Sequence, residues 1–358
     1  MKVGTDFSGI GAPEMALKYM GIDFESVFAC EIDKYARQSF KQLHNPKTFY
    51  KDITTRNHKE INQLDLYVAG FPCQSFSMAG KRKGFDETRG TLFFNVADFI
   101  KQNQPKCFVL ENVKGLISHD KGRTFQTIVD ILSNGGGTQN GQISLDVFED
   151  GLGYHIYWKV LNTKNFGIPQ NRERIFIVGF KDFRDFSFPK EIHLELKLKH
   201  ILEDEVSDKF FLKDETVKKL LEYTKKNKDK GNGFGAKFHN PDEENMSSLK
   251  VGGGGADDLI KVISHSLHPR TGDPKKGGTG HLSKSDGSSY CLDTGNAQAV
   301  ESNKKIRRLT PLECWRLQGF KDEDFNRVKA VSDTQLYKQA GNSITVDVLI
   351  HLFRKIYG

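Results

Sequence analysis

The sequence predicts an α/β fold: an open, mainly parallel sheet flanked by helices, followed by a second, smaller and irregular domain. Three observations carry this. Through the first 180 residues, short β-branched or aromatic runs alternate with helix-length amphipathic stretches, the rhythm of βαβ units. The first four runs each end in polar, small or reactive residues, as strands do when ligands gather beyond their carboxyl ends. After Phe180 the rhythm stops and the composition changes.

The expected strands are Lys2 to Asp6, Ser26 to Cys30, Leu64 to Ala69, Lys106 to Leu110, His155 to Leu161 and Arg174 to Phe180. The first four lead into Asp6-Phe7-Ser8-Gly9, Glu31, Gly70-Phe71-Pro72-Cys73 and Glu111-Asn112, clusters expected to converge on one crevice. From Lys181 to Lys230 the charge is dense but balanced, 13 basic against 12 acidic residues, which suits solvated helix faces. Between Gly231 and Gly295 stand 13 of the chain's 34 glycines, with no helical period, so this stretch reads as loops. At the end Ile344, Val348, Leu349, Leu352 and Ile356 recur at helical spacing, predicting a helix over 343–357 that rejoins the first domain. Ser133 to Ser144 reads as a flexible surface loop. The domains expected are 1–185 plus 337–358, and 186–336.

A chain of 358 residues suffices for about two domains of roughly 150 each, and 37% hydrophobic with 28% charged residues describes a globular protein. No apolar run approaches the roughly 18 to 20 residues that span a bilayer, and no secretory signal opens the chain, so a cytoplasmic protein is expected. Five cysteines without a CxxC pair suggest neither a disulfide framework nor a thiolate metal site, and no metal is expected. The net charge of +7 permits a polyanionic partner, and most of it lies between Lys261 and Arg308, where nine basic residues face four acids.

Several constellations could carry chemistry. In Phe7-Ser8-Gly9-Ile10-Gly11 the glycines let a turn pass close to a ligand before a helix begins. Glu14 stands where a dinucleotide fingerprint needs its third glycine and would oppose a pyrophosphate; Glu31 stands where a carboxylate meets ribose hydroxyls. Together they suggest a nucleoside without a phosphate; a tight turn and an exposed acid would explain them equally well. Cys73 follows a strand in a turn fixed by Pro72 and is a candidate nucleophile, beside the basic, glycine-punctuated loop Lys81-Arg82-Lys83-Gly84 to Arg89-Gly90. The competing role is a buried structural cysteine. Glu111 leaves an apolar strand into the crevice and should be partly desolvated, readier to share a proton with a ring nitrogen. Arg172 and Arg174 sit two apart, suited to fork onto a carbonyl or phosphate or to pair with Glu173.

In combination and order, these motifs resemble the DNA (cytosine-5)-methyltransferases of bacterial and phage restriction-modification systems. The match runs through Phe7-Ser8-Gly9-Ile10-Gly11, Glu31, Asp52-Ile53, Pro72-Cys73-Gln74, Arg89 to Phe94, Glu111-Asn112-Val113, Gln170 to Arg174, Arg308 to Phe320 and Gly341-Asn342-Ser343, most of the chain except roughly 181–300. It implies a Rossmann-like, S-adenosylmethionine-dependent domain with a target-recognition domain at 186–336. It implies cofactor contacts from Phe7, Ser8, Gly9, Ile10, Gly11, Glu31, Ile32, Asp52, Ile53, Pro72, Leu92, Asn342 and Ser343. Ile32 stands where many members carry an aromatic, which makes the adenine contact aliphatic. The implied catalytic set is Cys73, Glu111, Arg172 and Arg174, acting on a cytosine flipped out of double-stranded DNA. Gln74, Ser77, Lys81, Arg82, Arg89, Arg270, Lys275 and Lys276, with Lys284, are the implied DNA contacts, and 77–89 the lid. A monomer in a bacterial or phage-infected cytoplasm follows, with a cognate restriction endonuclease on the same site left open. RNA as substrate and a catalytically silent DNA-binding regulator of the same fold also stay open. A nicotinamide oxidoreductase is disfavoured by Glu14 and the incomplete phosphate fingerprint.

Overall fold

The computed structural model describes residues 1–72, 92–133, 151–213 and 305–358, with short stretches between 215 and 302. Two compact units emerge: Met1–Leu161, Glu173–Pro189 and Leu352–Gly358 form the first, and Asn162–Arg172 with Lys190–His351 the second. This division by packing differs from the division by function expected above, 1–185 plus 337–358 against 186–336. The predicted surface loop at 133–144 lies, beyond Ser133, outside the described residues.

The first unit is built around one seven-stranded sheet. Its elements are β1 (Lys2–Asp6), α1 (Ala12–Tyr19), β2 (Glu25–Cys30), α2 (Lys34–Leu43), β3 (Thr48–Tyr50), β4 (Leu66–Ala69), α3 (Leu92–Asn103), β5 (Cys107–Val113), α4 (Arg123–Leu132) and β6 (His155–Asn162). After the two-residue β7 (Gln170–Asn171) of the second unit comes β8 (Glu173–Phe180). The strand order is β3-β2-β1-β4-β5-β8-β6. β3, β2, β1, β4 and β5 pair in parallel, and β8 runs antiparallel to β5 from Cys107↔Phe180 to Val113↔Arg174.

All six predicted strands form within two or three residues of their expected ends; β3 was not predicted. Strands buried on both faces read as apolar runs, as Leu66–Ala69 and Cys107–Leu110 do. The core gathers Phe28, Tyr67, Phe93, Phe99, Phe108 and Leu110 with Ile128, Leu132 and Ile177 from the helices and strands around them. Close packing explains two glycines. A Cβ at Gly179 would stand 2.2 Å from the Phe108 ring, and at Gly11, where φ is +82°, 2.3 Å from the His44 ring.

The second unit carries β7, β9 (Ser264–Ser266), β10 (Ser289–Tyr290), β11 (Gln298–Ser302) and β12 (Lys305–Arg308). β9, β11 and β12 make an antiparallel sheet and β10 pairs with β7. Helices α5 (Pro311–Arg316), α6 (Asp322–Val328), α7 (Asp333–Asn342) and α8 (Val346–Tyr357) follow; the last turns of α8 belong to the first unit. Residues 311–342 are therefore helical where an irregular domain was expected. Their start is encoded locally. Thr310 caps α5 with a reciprocal box to Glu313, and Pro311 occupies the first turn, where its missing N–H costs nothing. Ile344 precedes α8 rather than forming part of it, whereas Val348, Leu349, Leu352 and Ile356 face its buried side.

Candidate active site

β2, β1, β4 and β5 are contiguous and parallel, so Glu31, Phe7, Gly70 and Glu111 stand side by side at one end of the sheet. Strand spacing of about 4.8 Å places the four clusters within reach of one ligand.

The loop after β1 is set by left-handed backbone at Phe7 (φ +53°), Gly9 (+53°) and Gly11 (+82°). Ser8 is stitched to β2: its Oγ accepts from the Cys30 N–H at 2.9 Å and donates within this cluster, while its N–H donates to the Cys30 carbonyl at 3.0 Å. Glu31 is held by two backbone donors. Gly9 N–H reaches Oε2 at 2.9 Å and Asp33 N–H reaches Oε1 at 2.8 Å, each leaving a lone pair for a hydroxyl. Asp33 then caps α2, accepting from the N–H groups of Tyr35 and Ala36. Ile32 projects beside Glu31, 75% exposed, an aliphatic plate suited to a base. Asp52 accepts from the N–H and hydroxyl of Thr54, and Ile53 is buried in the core. A carboxylate fixed for ribose, an exposed apolar plate and a glycine turn fit a nucleoside such as the adenosyl moiety.

Some expected contacts are made differently. Ile10 is 1% exposed and packs inward, so only its backbone can face a ligand. Ser8 and Ser343 are also buried, and the hydroxyl of Ser343 donates to the Ile344 carbonyl. Asn342 and Pro72 are exposed; Leu92 begins α3 and packs partly against the core. Glu14 does not oppose a ligand from the loop surface. It is fully buried beneath the loop, where Thr5 donates to Oε1 at 2.9 Å and Oε2 has no partner, and burial pushes its pKa up to about 7.

Glu111, almost fully buried, lies with its Oε1 3.1 Å from Arg174 Nε, although no N–H points squarely at that oxygen. Its neighbour Asn112 donates from Nδ2 to the Phe71 carbonyl at 2.8 Å, fixing the backbone two residues before Cys73. This contact is not foreseen by the sequence, in which the place of Asn112 within Glu111-Asn112-Val113 is the one signal of it. Arg172 differs from Arg174. It is 4% exposed, within the second unit, and its guanidinium donates to the carbonyls of Gly341 (3.3 Å) and Ser343 (2.9 Å), which gives it an anchoring task rather than a free fork. The Glu173 carboxylate pairs with Lys114 at 2.9 Å, and its carbonyl accepts from Arg174 Nη1 at 2.9 Å. Cys73, Gln74, Ser77, Lys81, Arg82, Arg89, Arg270, Lys275 and Lys276 lie outside the described residues. Among the described residues, no cluster of His, Cys, Asp or Glu could hold a metal ion.

An open α/β sheet that sets a backbone-held carboxylate at one strand end and an arginine-paired glutamate three strands away has the frame of a group-transfer enzyme. The chain belongs to the C-5 cytosine-specific DNA methylase family, whose model matches residues 1–358. It is 36% identical to the type II methyltransferase M.HpaII of Haemophilus parainfluenzae (98% of this chain, 87% of that one) and 37% identical to M.NgoBI of Neisseria gonorrhoeae (98% and 90%). It is 32% identical to the orphan methyltransferase M.SPRI of Bacillus phage SPR, over 99% of this chain and 97% of that one. The Dnmt2 methyltransferase of S. pombe shares the fold, with a TM-score of 0.67 at 18% identity over 99% of this chain and 97% of that one. The protein is thus a DNA (cytosine-5)-methyltransferase, of a family that in general depends on S-adenosylmethionine. Among the described residues no helix is long and apolar enough to cross a membrane.

Proposed function

We propose that the chain methylates carbon 5 of a cytosine flipped out of a short duplex DNA sequence, using S-adenosylmethionine and a transient covalent bond from Cys73. The observation that carries this is the placement of Glu111, paired with Arg174, on the strand next to the one that leads to Pro72-Cys73 and three strands from the one that leads to Glu31. Bound S-adenosylmethionine supplies an electrophilic methyl group. Gly9, Glu31, Ile32 and the 52–53 turn would hold its adenosine, with Asn342 and Ser343 the further contacts that the family resemblance implies.

Carbon 5 of cytosine is too weak a nucleophile to take a methyl group unaided. Cys73 Sγ adds to carbon 6, while Glu111 donates a proton to N3 and contacts the exocyclic amine, so carbon 5 becomes electron-rich. Arg174 keeps Glu111 oriented and holds the O2 of the base. After transfer the carbon 5 proton passes to a base, the carbon 6 to sulfur bond breaks to release the Cys73 thiolate, and the N3 proton returns to Glu111, leaving 5-methylcytosine. Arg172 serves this reaction by fixing the backbone of 341–343. The thiol cannot reach a stacked base, and extrusion costs a few kcal/mol, so 77–89 is the lid that closes over the flipped base. Residues 186–336 read the DNA sequence, with Arg270, Lys275 and Lys276 among the phosphate contacts. The enzyme works as a monomer in the cytoplasm of a bacterium or phage-infected cell.

The test is transfer of label from S-adenosylmethionine to duplex DNA or, separately, to total RNA, with bisulfite sequencing of the DNA. Label at the cytosines of one short DNA motif, abolished in Cys73→Ala while cofactor still binds, is the expected result. Label in RNA alone, or substantial turnover by Cys73→Ala, overturns the proposal.

A further inference from the structure

We infer that Arg56 is a positioning residue for the cofactor, clamping the backbone that carries the loop 7–11 to the turn that carries Asp52 and Ile53. The inference rests on the assignment of those segments to S-adenosylmethionine. Arg56 and Asp6 are 50 residues apart, and their side chains are 1% and 0% exposed. Arg56 Nη1 lies 2.6 Å from both carboxylate oxygens of Asp6. Tyr67, on β4, donates its hydroxyl to Asp6 Oδ2 at 2.6 Å. The guanidinium rests over two rings of the core, 4.4 Å from the centroid of Phe99 and 4.8 Å from that of Phe28. The thiol of Cys30, which precedes Glu31, also faces the Asp6 carboxyl.

The position of this cluster is what gives it a role. Asp6 is the last residue of β1, directly before Phe7; Arg56 lies three residues beyond Ile53; Cys30 ends β2; and Tyr67 lies on the strand leading to Pro72. One buried cluster therefore adjoins four of the segments assigned to the cofactor: 7–11, 31–32, 52–53 and Pro72. Stability does not account for it. Two charges taken from water lose several kcal/mol each, and apolar replacements of such a pair are often neutral or stabilising. Arg56 Nε, buried, has no hydrogen-bond partner, so the arginine is not optimally satisfied either. What an ion pair with a two-oxygen grip supplies, and an apolar contact does not, is a fixed register between two backbones.

The test compares the wild type with Asp6→Leu/Arg56→Met, which removes both charges and keeps the volume, and with Arg56→Lys, which keeps a charge and loses the planar contact with the rings. Calorimetric titration with S-adenosylmethionine should show the double variant binding about tenfold more weakly, equivalent to about 1.4 kcal/mol. Its KM for the cofactor should rise in parallel, with kcat at saturation changed by less than about twofold, the signature of lost uniform binding. Without cofactor, amide exchange should quicken at residues 7–11 and 52–55. Wild-type affinity and exchange in the double variant, or a fall in kcat with affinity intact, overturns the inference. If the double variant does not fold, Arg56→Lys is judged by the same criteria. A wild type that fails to bind S-adenosylmethionine refutes the cofactor assignment itself, a result distinct from failure of the clamp.

Discussion

Glu14 is the residue whose behaviour departs most from its surface-like sequence context. Its carboxyl has a pKa near 7 in the folded chain, against 4.5 for the ordinary group, because burial disfavours the charge. A raised pKa favours the protonated form in the folded state. The stability it confers is complete below about pH 4.5 and is lost as pH rises through 7, a loss of about 3 kcal/mol by linkage. Glu14→Gln should remove this dependence, so thermal melts at pH 5 and pH 8 should diverge less in the variant than in the wild type; parallel melts would refute the buried, protonated carboxyl. Glu111 belongs to the same scale. Glu111→Gln keeps the shape and removes the proton donor, so methyl transfer should fall at least about 100-fold, the usual range for general acid catalysis, with DNA affinity retained. Retained transfer in a single-turnover assay would place N3 protonation elsewhere. The places of Glu31 and Glu111 were legible because each sits at a strand end inside a short motif of fixed spacing. Arg56 was not, since its partner Asp6 is close only after β1 and the 53–56 turn have been brought together by the sheet.

At the scale of elements, runs of β-branched and aromatic residues revealed the central strands, because a strand buried on both faces needs little else. β3 was missed for the converse reason: three half-exposed residues, Thr48–Tyr50, are too short to show any period. The helices at 311–342 were passed over although Thr310-Pro311-Leu312-Glu313 spells a capping box, a signal that a glycine-rich neighbourhood masked. Glu313 completes that cap and also binds Arg307, with the two side chains 0% and 3% exposed. Glu313→Ala should therefore lower unfolding stability by about 3 to 5 kcal/mol, since it strands a buried guanidinium and opens the first turn of α5. Urea denaturation gives the value, and a loss below about 1 kcal/mol would show that Arg307 finds another partner.

For the whole molecule, charge is the property that bears most directly on DNA. With a net charge of +7, concentrated in the segment that lies between the described sheet and the terminal helices, binding to duplex DNA should release counterions. A plot of log affinity against log salt should slope steeply downward in fluorescence anisotropy, and a flat plot would exclude a surface that tracks phosphates. The sequence carried the existence of such a charge bias but not the DNA sequence it serves, because base reading depends on where loop side chains stand in three dimensions.

The placing of β8 between β5 and β6 has a consequence for biosynthesis. A growing chain makes β5 some 60 residues before the strand that will lie against it, and β6 emerges with no neighbour at all. Until residues 173–180 have cleared the ribosome, β5 offers a row of unpaired backbone groups and an apolar face to any passing strand. Protection by a chaperone should matter most in that interval, and ribosome-held chains that stop just short of Glu173 should aggregate more readily than those that extend past Phe180.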